Sequence, residues 1–229
     1  LKILLSFFIF LEIVSAWNLY PSYPNYLKRR SKYIKNFFFK ANTTSKVVAL
    51  SFDDGPNYKT KKLMKILEKY KVPATFFLIG KNLRKKYDKL YKNPLFDVGM
   101  HSLRHRNFDH YSYKIIKKDF AKTITLFKKH NLNTSLFRPP YGVVNQKVSR
   151  ALKEFRLKGI LWSNDTNDWS KRRSYKRVIS HLNSGDIILL HDHSTSPKNL
   201  ESLIINIQKK GFKIVPLKYL LKYKSSYPF

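Results

Sequence analysis

The sequence predicts an α/β fold: a distorted (β/α)7 barrel, related to the TIM barrel, in a single domain. Three observations predict it. Apolar runs of strand length alternate with amphipathic stretches of helix length from residue 46 to residue 217. Gly or Pro stands at the joints, at Gly55-Pro56, Pro73, Gly99, Pro139-Pro140, Gly185 and Gly211. Unusual polar residues gather just after the strand-like runs, where barrels of parallel strands carry their chemistry. Repeated strand–helix units imply a parallel sheet with helices outside it, and seven such strands suggest an eight-stranded barrel lacking one unit.

The elements follow in order. Residues 1–16 carry one lysine, an apolar run from Ile3 to Leu11 and small residues at Ser15-Ala16, the pattern of a secretory signal cleaved after Ala16. The run is too short for a comfortable membrane span. A chain that kept it would be membrane-anchored, and one that lost it secreted or wall-associated. Residues 17–45, with Pro21, Pro24, several Tyr and the basic Lys28-Arg29-Arg30, read as a linker or wrapping segment. The catalytic domain is expected over 46–229. Its strand candidates are 46–52, 74–79, 96–100, 135–138, 157–163, 186–191 and 212–217. Its helix candidates are 59–70, 81–92, 112–129, 145–155, 174–183 and 197–210.

Composition narrows the function classes. Hydrophobic residues make up 43% of the 229, enough for a sizeable core. There is no cysteine, which excludes disulfides, Cys-ligated zinc and a Cys nucleophile. Any metal is therefore held by His and carboxylates. The net charge is +32, from 46 Lys+Arg against 14 Asp+Glu. Such a field attracts polyanions, including nucleic acid and acidic wall polymers. An AT-rich genome, with its excess of Lys, Asn, Ile, Phe and Tyr codons, accounts for the same charge without a partner. The lysines are scattered and no nucleic-acid-binding signature accompanies them, so no specific nucleic-acid partner is expected.

Five strand ends carry the chemistry. They are Ser51-Phe52-Asp53-Asp54-Gly55-Pro56, His101-Ser102-Leu103-Arg104-His105, Arg138-Pro139-Pro140-Tyr141-Gly142, Asp165-Thr166-Asn167-Asp168-Trp169 and His191-Asp192-His193. His101 and His105 are four apart, so a helical turn after the strand would aim both imidazoles at one ion. Alone, such a pair is more often two surface histidines. With an Asp it becomes a two-His, one-carboxylate site with open positions. Asp53-Asp54 supplies that carboxylate and a second one. Adjacent acids at a strand end point to different sides, so one can bind metal while the other accepts a proton. A bare Asp-Asp would be a helix N-cap, but Ser-Phe before it and Gly-Pro after it make it more specific. Trp162 and Phe76-Phe77 read as core, and His110, His130 and His181 as surface residues. Asp192 and His193 read as neighbours of the site or exposed.

These segments, in this order, resemble the five motifs of the polysaccharide deacetylases, carbohydrate esterase family 4. The resemblance covers about residues 46–220. It implies Asp54, His101 and His105 as metal ligands, Asp53 as general base and Arg138 as its orienting partner. It further implies His191 as general acid, Asp168 as the carboxylate that tunes it, and the Tyr141 backbone N–H as an oxyanion donor. Pro139, Tyr141, Trp169 and Leu189 would contact the substrate, the last two lining the pocket for the acetyl methyl. The chain departs from the family pattern at Met100, where Asn is common, which puts one outer hydrogen bond around the metal site in question.

The implied reaction is metal-dependent hydrolysis of N-acetyl groups on N-acetylglucosamine, with peptidoglycan as the expected glycan. Chitin-like oligosaccharides, other surface polysaccharides and acetylated xylan are alternatives that the motifs do not separate. A site of two histidines and one carboxylate suits Zn2+, and also admits Co2+, Ni2+ or Mn2+. A catalytically silent glycan-binding module on the same fold would have lost the base, the acid or a metal ligand, and none is missing here. Oligomeric state is not legible.

Overall fold

The computed structural model describes residues 22–170 and 174–228. The expected signal segment 1–16 lies outside the described residues. Among them, no helix is long and apolar enough to cross a membrane.

The architecture is a strongly curled, parallel sheet with helices on its outer face. The strands are β1 (Phe37–Phe38), β2 (Lys40–Ala41), β3 (Val47–Gly55), β4 (Ala74–Leu78), β5 (Phe96–Met100) and β6 (Leu136–Phe137). They continue with β7 (Lys158–Ile160), β8 (Asn164–Asp165), β9 (Ile187–His191), β10 (Lys213–Ile214) and β11 (Ser225–Ser226). The main sheet has the order β1-β7-β6-β5-β4-β3-β9-β8, with β10 pairing the first residues of β3. β2 and β11 form a separate antiparallel pair.

β7 and β8 belong to one extended stretch, the 157–163 strand of the sequence reading displaced to 158–165 and interrupted. Leu161 to Ser163 leave the ladder. The Leu161 N–H turns to Phe38 O, and the Ser163 N–H to Ile187 O. One half therefore pairs with β6 and the other with β9, and this closes the ring. The interruption has a second consequence: the carbonyls of Ile160 and Leu161 face inward, where Arg138 uses them.

Alternation along β3 builds two cores. Val48, Leu50 and Phe52 pack outward against the helices, in a cluster with Phe76, Ile188, Leu190 and Leu203. Val47 and Ala49 point into the barrel with Phe77, Ile160, Trp162, Ile187 and Leu189. Trp162 and Phe76-Phe77 are core, as expected.

The helices are α1 (Ser22–Arg29), α2 (Thr60–Lys69), α3 (Lys85–Asp88), α4 (Tyr113–Lys129), α5 (Gln146–Glu154), α6 (Tyr175–Ser180), α7 (Pro197–Lys209) and α8 (Leu217–Leu220). α4 buries Ile116, Phe120, Thr123 and Phe127, a stripe of three- and four-residue steps. α7 starts with Ser196 accepting the Asn199 N–H and Pro197 in the first turn, where a missing N–H costs nothing.

Three expectations need correction. The 81–92 helix is broken into a 3-10 turn at Gly80–Asn82, the short α3 and a second 3-10 turn at Lys89–Lys92. The N–H groups of Gly80 and Lys81 donate to the carbonyls of Ser102 and Leu103 instead of a helix, so this segment braces the histidine loop. His130 is not a surface residue, because its Nδ1 lies 2.7 Å from Asp88 Oδ1 and its side chain is 10% exposed. The expected linker also contains two short strands, 37–38 and 40–41: Phe37 and Phe38 pair in register with Gly159 and Ile160, and both are buried.

Candidate active site

The C-terminal ends of β3, β5, β6, β8 and β9 converge on one rim of the barrel. Asp53 and His191 are register partners on β3 and β9, side by side and facing inward by strand alternation. Strand alternation alone would send Asp54 the other way. It does not, because Asp54 adopts a left-handed φ of 71° and the β3–β4 register shifts between Phe52 and Gly55. Both adjacent carboxylates therefore face the opening, contrary to the expectation that they diverge. Asp53 Oδ2 and Asp54 Oδ1 each lie 3.6 Å from His101 Nε2. Gly55 follows with no room for a side chain: a Cβ there would stand 2.4 Å from Asp192 Oδ2.

His101 and His105 converge, but not through a helical turn. They sit in an irregular loop with left-handed Ser102 (φ 65°) and His105 (φ 55°), their ring centres 4.9 Å apart. Ser102 Oγ accepts the His105 N–H at 2.8 Å, and Asp119 Oδ1 on α4 accepts the Leu103 N–H at 2.8 Å. The Arg138 carbonyl lies 2.7 Å from His101 Nδ1 and, having only lone pairs, must accept from it. That places the proton on Nδ1 and leaves Nε2 as a lone pair aimed at Asp54. Burial, as the largest influence, holds the His101 imidazole down to about 3, so it is neutral at physiological pH.

Asp54, His101 and His105 each bring one ligand atom within 4.8 Å of the others. Asp54 Oδ1 is 3.3 Å from His105 Nε2 and is buried with no hydrogen-bond partner. A buried carboxylate oxygen without a donor, flanked by two imidazole nitrogens, is a donor set that a divalent cation satisfies. The residues present fit such an ion. On the far oxygen, His193 Nδ1 approaches Asp54 Oδ2 at 3.4 Å with its side chain half exposed. Sequence reasoning placed His193 beside the site or exposed, without its contact to Asp54. Its proximity follows from the turn after β9, which sequence pattern does not encode.

Arg138 is the largest fully buried side chain. Its Nη1 donates to Asp53 Oδ1 at 2.8 Å and to Ser51 Oγ at 2.9 Å, its Nη2 to Leu161 O and its Nε to Ile160 O. The guanidinium lies 4.1 Å from the Phe77 ring centre. Four of its five N–H groups have acceptors, one of them a carboxylate, and such pairing is what makes a buried charge tolerable. Burial raises the Asp53 carboxyl, with the charge of Arg138 opposing it.

His191 is held through its other nitrogen. Nδ1 lies 2.7 Å from Asp168 Oδ1, Asp168 Oδ2 accepts the His191 N–H at 2.8 Å, and the Thr195 hydroxyl donates to Asp168 Oδ2. Burial acts to lower the His191 imidazole. The hydrogen bond and charge of Asp168, then the charges of Asp53 and Asp54, outweigh it and push the value up to about 9. Thr195 was not foreseen, since a lone threonine in a loop carries no sequence signal.

Tyr141 sits left-handed (φ 59°) after Pro139-Pro140; the residue is 62% exposed and its ring is 4.7 Å from the His105 ring. Among the described residues, no group accepts the Tyr141 backbone N–H. Trp169 is half exposed beside Asp168, whereas Leu189 is buried in the barrel interior, in register with Ser51. Met100 is buried in the outer core, paired across the sheet with Leu78 and Phe137.

The polysaccharide deacetylase family matches residues 40–160 of this chain. The chain is also 32% identical over 192 residues to a peptidoglycan-N-acetylglucosamine deacetylase of Bacillus cereus, covering 78% of this chain and 90% of that one. The chain belongs to the polysaccharide deacetylase family. It is a hydrolase of that family, acting on the N-acetyl amide bond of polysaccharides. A Bacillus subtilis peptidoglycan-N-acetylmuramic acid deacetylase is also 32% identical, over 78% of this chain but only 39% of its own length. Among solved structures, a peptidoglycan N-acetylglucosamine deacetylase bound to an N-hydroxybenzamide superposes with TM-score 0.73 at 26% identity, over 86% of this chain and 96% of that one. A Bacillus anthracis pseudoenzyme of carbohydrate esterase family 4 superposes with TM-score 0.72 at 26% identity, over 81% of this chain and 68% of that one.

Proposed function

We propose that this protein removes the acetyl group from N-acetylglucosamine in peptidoglycan by metal-assisted hydrolysis. The observation that carries the reading is the convergence of the Asp54–His101–His105 donor set with the Arg138–Asp53 and Asp168–His191 pairs on one rim.

An amide carbonyl is a weak electrophile and an amine a poor leaving group, so the site must supply both a base and an acid. A divalent ion held by Asp54, His101 and His105 would polarise the acetyl carbonyl and lower the pKa of water; Zn2+ suits the donors, and Co2+, Ni2+ or Mn2+ are compatible. Asp53 is the general base. Arg138 fixes Oδ1, so Oδ2 is the oxygen left to accept the proton of the attacking water, and its buried setting raises its basicity. The unpartnered Tyr141 N–H is the protein's oxyanion donor; losing one such donor typically costs about 100- to 1000-fold in rate. His191, charged at neutral pH, donates from Nε2 to the departing nitrogen, because Nδ1 is committed to Asp168. Asp53 and His191 stand side by side, yet their partners pull them to opposite protonation states. Trp169 and Leu189, with Pro139 and Tyr141, are the proposed walls around the acetyl group.

Peptidoglycan is the proposed glycan because relatives of matching sequence are named for it. We further propose that residues 1–16 direct secretion, and that residues 46–229 form the catalytic domain with 17–45 as a linker or wrapping segment. Cell-wall location follows from the same reading. The test is product analysis by mass spectrometry after incubation with peptidoglycan fragments and with N-acetylglucosamine oligomers. Loss of acetyl from the N-acetylglucosamine of peptidoglycan supports the proposal. Loss from oligomers alone would move the substrate to a chitin-like glycan.

A further inference from the structure

The loop that carries His101 and His105 has an outer side that the hydrolytic chemistry does not use. A groove of about 330 Å3 lies there, lined by Leu103, Arg104, Arg106, Lys118, Asp119 and Lys122, with Ile115 at its edge. Ile115, Lys118, Asp119 and Lys122 recur on one face of α4 at three- and four-residue steps. The other wall is the loop itself.

Four cations meet one carboxylate in this groove. That carboxylate is already engaged, since Asp119 Oδ1 accepts the Leu103 N–H at 2.8 Å and the residue is buried. Arg104, Lys118 and Lys122 are exposed, and none forms an ion pair among the described residues. Arg106 lies over the Tyr111 ring at 5.1 Å, which orients its guanidinium without neutralising it. Like charges crowded in a concavity repel one another and focus a positive potential. Arg104 is the neighbour of His105, so the groove begins one residue from the proposed metal site.

We propose that this groove binds the carboxylates of the peptide branches carried by the glycan next to the sugar being deacetylated. The inference rests on the peptidoglycan reading above. It deepens that reading by naming what separates a peptide-bearing glycan from a bare one. The chemistry that fits is an oxyanion-bearing branch: guanidinium and ammonium donors converge on it, and Ile115 offers apolar contact to its aliphatic part. A neutral amino-sugar oligomer has nothing to place there.

The test is a binding measurement that needs no turnover. The metal-loaded full chain is titrated with a glycan fragment carrying its peptides, and with the same fragment after the peptides have been removed. The parent should prefer the peptide-bearing fragment by about threefold to tenfold at low salt, since several individually weak exposed charge pairs act together. The preference should shrink as salt is raised past the range where screening becomes short. Arg104→Gln/Lys118→Gln/Lys122→Gln should abolish it. Lys209→Gln/Lys210→Gln, at the opposite end of the barrel, should retain it.

Equal binding of the two fragments by the parent would overturn the inference. So would a preference that survives the triple replacement, or one that the Lys209/Lys210 control loses equally, which would assign it to the overall charge. Displacement of the peptide-bearing fragment by poly(glycerol phosphate) at lower concentration than by the free peptide would overturn it in favour of a phosphate site. If the preference holds while no acetate is released from any glycan, the hydrolase reading fails and this one stands.

Discussion

Replacing Asp168 with Asn keeps the side-chain shape and removes the charge. His191 stands at about 9, against an ordinary 6.5: burial acts to lower it, and the hydrogen bond and charge of Asp168, with the charges of Asp53 and Asp54, outweigh that effect. Without that charge, burial is opposed only by Asp53 and Asp54, and a cation at Asp54 cancels much of what they supply. The imidazole then returns to 6.5 or below. At pH 8 a group titrating near 9 is about 90% protonated and one at 6.5 only about 3%, so the supply of imidazolium falls about 30-fold. The assay is kcat/KM for acetate release between about pH 5.5 and 9.5. The high-pH limb, near 9 in the parent, should move to 6.5 or below, with most activity returning at the acid end. The same shift is a stability statement. A raised histidine stabilises the fold fully below 6.5 and loses that contribution as pH rises through about 9, so the variant should lack this loss. A uniform loss of activity at every pH, with the limb unmoved, would refute the electrostatic account and leave Asp168 with positioning alone.

Arg138→Met should destabilise the protein by about 3–5 kcal/mol in urea unfolding, because Asp53 is left buried and unpaired; adding Asp53→Asn should restore part of that loss. His105→Ala should weaken metal binding more than about 100-fold in competition with a chromogenic chelator, beyond what outer-shell changes cost. Asp192→Asn should gain stability relative to the parent as pH rises. Burial lifts the Asp192 carboxyl to about 7 from 3.8, so the parent loses stability between those values at up to about 1.4 kcal/mol per pH unit; the difference should show in melting curves at pH 5 and pH 8.

Much of the fold was legible because its strands are apolar, short and separated by Gly or Pro. The ends of α4, α5 and α7 fall within two residues of the expected ones, since periodicity and capping residues agree there. The 81–92 region failed because its backbone donors are taken by the histidine loop, a long-range contact that no local pattern reports. The interrupted strand at 161–163 failed for a related reason: Phe38, Ile187 and Arg138 compete for its backbone groups. At the site, residue types and order were visible, but their geometry was not. The left-handed backbone at Asp54, Ser102, His105 and Tyr141 aims those groups, and none is a glycine that would announce it. Met100 is explained by packing: buried between Leu78 and Phe137, it fills core volume, while the His101 orientation is fixed by the Arg138 carbonyl.

The family also holds a pseudoenzyme of similar fold, so activity has to be tested on this chain's own residues. The most direct measurement is acetate release from peptidoglycan by chelator-stripped protein as Zn2+ is added back, in the parent and in Asp53→Asn, with bound metal quantified in both. The account predicts that the parent regains activity in step with one bound ion, while Asp53→Asn binds the ion and stays inactive. Full activity in stripped parent protein, or activity retained by Asp53→Asn, would contradict it.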